Sequence, residues 1–166
     1  STPLLHHEQY DRMRAWKTMV GAPVGDSSRM SKVPFWAQRR LLLEIRYEHL
    51  RPRMDCVLFG EVEVYKALNL AIEEVYVEVI RKEFFKGDLL SEEALIRHDI
   101  VEGPMDAGVV PFSIPLKAVK GLTPSCPDMF GLGSVQYCLQ MVIQADQGEL
   151  YYSVQDIEIL SPATGL

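Results

Sequence analysis

The chain has 166 residues, of which 48% are apolar and 24% charged, and a formal net charge of -6. That length suits a single domain with its own core, and that balance excludes a disordered or collagen-like chain. Basic residues are scattered apart from Arg39-Arg40 and Arg51-Pro52-Arg53, so no stripe suited to a phosphate backbone is present and nucleic acid is not expected as a partner.

Cys56, Cys126 and Cys138 are odd in number and lack C-x-x-C spacing. Neither a disulfide framework nor a cysteine zinc site is expected, and a reducing compartment fits. The first thirty residues mix Arg and Lys with apolar residues in no continuous apolar run, so neither a signal peptide nor a spanning helix is expected. Because the chain begins at Ser1 rather than Met, it reads as a fragment of something longer.

Residues 1–38 are polar, with Gly21, Pro23, Gly25 and Pro34 as breakers. They read as an irregular leader with one short helix over His7 to Val20, where Tyr10, Met13, Trp16 and Val20 fall on roughly one face. From Arg39 to Leu166 the texture changes to short apolar runs and alternations between turn residues, the pattern of an all-β antiparallel sandwich of about seven strands. The predicted strands are Leu41 to His49, Val57 to Tyr65, Ile72 to Lys82, Ala94 to Val101, Val109 to Leu116, Ser134 to Ala145 and Leu150 to Leu160. In the third, Val75, Val77 and Val79 alternate with Glu74, Tyr76 and Glu78, which predicts one core face and one acidic outer row. In the sixth, Val135, Tyr137, Leu139, Met141 and Ile143 share the core face. Gly148 near the next turn makes the last two strands antiparallel neighbours.

Catalytic patterns are weak. His6-His7-Glu8 lies in the leader, and His49 and His98 stand alone in separate strands, so no metal or cofactor is expected. Gly131-Leu132-Gly133-Ser134-Val135 lacks the second glycine of a nucleophile elbow and leads into a strand rather than a helix, so it reads as a loop. A protein-interaction module is the favoured reading. A β-sandwich enzyme or ligand-binding domain is the alternative of another class.

Three segments carry a resemblance. The first runs from Met54-Asp55-Cys56-Val57-Leu58-Phe59-Gly60-Glu61-Val62 to Val75 through Glu83. The second is His98-Asp99-Ile100-Val101-Glu102-Gly103, with an Ile-Pro-containing strand after it. The third comprises Leu122-Thr123-Pro124, Ser134 through Val142, and Tyr151 to Ile159. In this order they resemble the carboxy-terminal arrestin domain of the retromer coat's arrestin-like small subunit, the vacuolar protein sorting-associated protein twenty-six family. The residues before Arg39 do not match that family, and Val101 stands where Met is usual.

The resemblance implies an arrestin-like fold and a non-catalytic subunit, cytoplasmic and peripheral on endosomes. Its partner would be the coat's α-solenoid subunit, met through a projecting loop with Ile100 and Val101 as apolar anchors flanked by Asp99, Glu102 and Gly103. Sorting nexins and cargo would be met through the family's amino-terminal arrestin domain, which is missing here, without direct membrane insertion by this domain. An arrestin-related cargo adaptor, or a subunit of another endosomal complex, is the rival within the same fold.

Overall fold

The computed structural model describes residues 30–48, 51–65, 71–128 and 130–162. Their strands are β1 (Ser31–Ala37), β2 (Arg40–Tyr47), β3 (Val57–Val64), β4 (Ile72–Phe85), β5 (Asp88–Met105), β6 (Gly108–Pro115), β7 (Ser134–Ala145) and β8 (Leu150–Ile157). They form two four-stranded antiparallel sheets, ordered β1-β2-β3-β6 and β5-β4-β7-β8.

Period-two alternation builds the core between the sheets. Val75, Val77 and Val79 of β4 stand in register with Ile143, Met141 and Leu139 of β7, and all six are buried. They meet Leu43, Ile45 and Tyr47 of β2 and Leu58, Val62 and Val64 of β3 in one continuous cluster. Each fully buried aliphatic side chain of this kind contributes about 1.5–3 kcal/mol of transfer free energy. On the outward face of the first sheet Arg46 binds Glu44 at 2.9 Å, Glu61 at 2.9 Å and Glu63 at 3.1 Å. Gly60 allows the closest packing in that sheet, because a Cβ there would lie 2.3 Å from Phe112 Cζ and 2.4 Å from the Arg46 carbonyl oxygen.

Two expectations are corrected. The irregular leader does not reach residue 38, since Ser31–Ala37 form an eighth strand whose Ser31, Val33, Phe35 and Ala37 are buried. Pro34 reads as a breaker in sequence, yet β1 is an edge strand bonded only to β2, where a missing N–H is tolerated. The helix expected over His7 to Val20, and His49 at the end of the first predicted strand, lie outside the described residues.

The second correction is the length of the β4–β5 hairpin. The strands expected to end at Lys82 and begin at Ala94 instead continue to a two-residue turn at Lys86-Gly87. Both turn residues have positive φ, 50° and 83°, the geometry that matches strand twist in a tight hairpin. Phe85 to Ala94 are all exposed, so no buried face imposed the alternation that sequence reading depends on.

Candidate docking surface

β5 forms one edge of the second sheet, bonded only to β4. The five residues singled out by the resemblance all lie within it. Val101 is 6% exposed, stands opposite Val75 and belongs to the core cluster. Ile100 is half-buried against the same core, whereas Asp99, Glu102 and Gly103 are exposed.

The expected projecting loop is therefore corrected to a strand. β5 keeps pairing as far as Met105, which meets Ile72, and the chain turns only at Asp106-Ala107. Gly103 does not end the strand: it sits at φ 98° close to a register shift between Ile72 and Glu74 that absorbs the irregularity.

The charges around this edge are organised. Arg97 Nε donates to Asp99 Oδ1 at 3.0 Å, and the same guanidinium bonds Glu74 and lies 3.6 Å from the centroid of the Tyr76 ring. The bond to Asp99 holds Arg97 above its ordinary pKa. Burial raises the Tyr76 hydroxyl, and the Arg97 charge partly offsets that rise. Asp99 is thus committed to Arg97, which leaves Glu102 and Gly103 as the outward features beside Ile100. A Cβ placed on Gly103 would meet nothing within 4 Å, so this point of the strand is open to close approach.

A second surface escaped sequence reasoning. At the far end of β5, Phe85, Leu89 and Leu90 of the hairpin are exposed, as are Phe130 (95%) and Leu132 (74%) in the loop before β7. That loop lies against β4: Gly133 N donates to Asp128 Oδ1 at 3.0 Å, and a Cβ on Gly133 would fall 2.7 Å from the Phe84 carbonyl oxygen. Phe130 occupies the left-handed region at φ 60°. The most exposed of the large apolar side chains described thus also carries backbone strain, a pairing seen at functional loops. A shallow cleft of about 320 Å³ runs beside this end between Phe84, Lys86, Asp128 and Gln136. The signal in the sequence was Phe84-Phe85 and Leu89-Leu90 flanking Lys86-Gly87, two apolar pairs bracketing a turn. From Leu90 to Ile100 the strand covers about 30 Å at about 3.3 Å per residue, so the two surfaces are separate.

Among the described residues no group of three or more His, Cys, Asp or Glu is placed to hold a metal ion. No helix among them is long and apolar enough to cross a membrane.

Two four-stranded antiparallel sheets with this order and this core define an arrestin-like β-sandwich. Among solved structures the chain is similar to Spo0M, a sporulation control protein from Bacillus subtilis, with a TM-score of 0.52 and 12% identity over 72% of this chain and 49% of that one. At that identity the likeness speaks for the fold alone, and this chain spans about half the length of Spo0M. No protein-family model and no curated protein matches the sequence.

Proposed function

We propose that this chain is a non-catalytic arrestin-fold subunit of a retromer-type coat, peripheral on endosomal membranes, that docks on an α-solenoid subunit along the β5 edge around Ile100. One observation supports this most. The three segments that resemble the family fall in order on β3 and β4, on the distal half of β5, and on the stretch through β7 and β8 of an arrestin-like sandwich.

Val101 supports the surface from beneath, as core. Ile100 supplies the apolar anchor, Gly103 lets a partner approach the backbone, and Glu102 favours a basic groove. An anchor desolvated at the centre of an interface typically costs about 2 kcal/mol or more when removed. Rim acids govern encounter more than affinity.

The test is a titration of the chain against a cognate retromer solenoid. Ile100→Asp is expected to weaken binding at least tenfold, and Glu102→Lys to slow association, both without loss of the folded state. A folded wild-type chain that does not bind the solenoid overturns the proposal.

The exposed apolar end favours a second reading, an arrestin-related adaptor that engages its partner through Phe85, Leu89, Leu90, Phe130 and Leu132. In that case Phe130→Ser/Leu132→Ser abolishes partner binding and Ile100→Asp does not.

A further inference from the structure

β5 is longer than the strand it pairs with: its 18 residues run against the 14 of β4, and the excess is taken up at four register shifts. At three of them a residue of β5 has no counterpart on β4. Leu90 lies between the pairs Glu83↔Ser91 and Phe84↔Leu89, Leu95 between Val79↔Ile96 and Ile80↔Ala94, and Ile100 between Val75↔Val101 and Tyr76↔Asp99. At the fourth, Gly103-Pro104 stand opposite Glu73.

The irregularity belongs to β5 rather than to the sheet. On its other side β4 pairs with β7 without a break from Glu74 to Phe84, and β7 pairs with β8 in continuous register. The sequence of β5 accounts for the difference, because Leu89-Leu90, Leu95-Ile96 and Ile100-Val101 are aliphatic doublets at intervals of six and five residues. A strict period of two turns one member of each doublet to water. Setting two residues against one of β4 lets Leu95 and Ile96, and again Ile100 and Val101, pack on the same core.

For the free edge the result is a broken ladder. In an antiparallel strand alternate residues turn their N–H and C=O to opposite neighbours, and each bulge resets that alternation. Residues 91–94 form one regular stretch and residues 96–99 the next. Each spans about 13 Å and aims the backbone groups of only about two residues outward. A strand of ordinary length runs about five or six residues, so neither stretch holds one in register. Past Ile100 the edge offers Val101 and Glu102 before Gly103 and Pro104, and Pro104 has no N–H to donate.

We propose that the free edge of β5 is closed to strand addition, whether by an extended peptide or by a second copy of this chain, and that it meets partners through side chains. The surface it offers is the row Leu90, Leu95 and Ile100, whose members stand about 13 Å apart along β4. The partner this fits is the flank of a helix, whose own backbone groups are already paired and lose nothing at a broken ladder. The closure holds whether or not a solenoid docks at Ile100.

Deleting Leu90 and Leu95 removes the unmatched residue at two shifts and leaves every other β4–β5 pair in place, so that Asp88 to Asp99 becomes one uninterrupted stretch. Sedimentation velocity, in salt that screens Glu92 and Glu93, is expected to show this chain self-associating at concentrations where the parent's sedimentation coefficient stays constant. A deletion chain that keeps its β-sheet circular dichroism and sediments like the parent overturns the proposal. If the double deletion does not fold, removal of Leu90 alone decides, since that residue is 65% exposed and its loss straightens Asp88 to Ala94. Self-association of the folded single deletion supports the closure, and sedimentation unchanged from the parent overturns it.

Discussion

The Arg97 guanidinium lies 3.6 Å from the centroid of the Tyr76 ring while its nitrogens bind Asp99 on its own strand and Glu74 on the next. A flat, delocalised cation is needed to stack and donate in this way, and a lysine ammonium cannot reproduce it. Because the Arg97 charge holds the Tyr76 hydroxyl down against burial, Arg97→Ala should move that hydroxyl further up. NMR titration of the Tyr76 ring measures this, and an unmoved midpoint would show that the stack carries no electrostatic coupling.

Gly60 faces Phe112 and the Arg46 carbonyl at distances no Cβ can occupy. Gly60→Ala is expected to destabilise the fold by about 2–3 kcal/mol, since overpacking here strains backbone as well as side chain. Adding Phe112→Leu relieves the ring contact and leaves the carbonyl clash, so the double variant should recover only part of the loss in a denaturant titration.

Ile100 and Val101 are neighbours with different roles, and stability separates them. Val101→Asn buries an amide opposite Val75 and should cost about 2 kcal/mol or more. Ile100→Asp, at a half-buried edge position, should cost about 1 kcal/mol or less. Urea unfolding of the two single variants tests the order, and equal losses would mean that Ile100 is as much core as Val101.

Tyr47 gives the fold an alkaline limit. Burial pushes its hydroxyl from the ordinary 10.0 up to about 12, an effect that Ser31 beside it opposes and the charge of Asp156 reinforces. Between these two values the unfolded chain has lost the proton and the folded chain keeps it, so stability falls as pH rises. The stabilisation is fully present below pH 10 and is lost by about pH 12, a change on the order of 2–3 kcal/mol. Tyr47→Phe should make the fall across that window shallower, with the burial-raised hydroxyl of Tyr151 still contributing, as followed by melting temperature against pH.

Much of the fold was legible because burial writes a period of two into the sequence. β7 was bounded at Ser134 and Ala145 from its alternation alone, and β3 and β6 were placed to within a residue. β1 was missed because Pro34 and Trp36 interrupt the pattern, and their meaning depends on being at an edge. The hairpin extension was missed because no second layer covers Phe85 to Ala94. At the docking surface, Ile100-Val101 between acids followed by Gly103 looked like a protruding turn. Only the register with β4 shows that the strand runs on to Met105 and draws Val101 into the core.

The order of strands in the first sheet sets a timetable for the newly made chain. β1, β2 and β3 follow one another and can zip together as they emerge, but the fourth member, β6, arrives only after the entire β4–β5 hairpin. At roughly 5–20 residues per second, the roughly fifty residues from the end of β3 to the end of β6 take several seconds to synthesise. For that interval the free edge of β3 is a template for the wrong strand, and Glu61 and Glu63 on it are the charges that discourage such pairing. Removing them would leave the finished sandwich standing while lowering the yield of molecules that reach it.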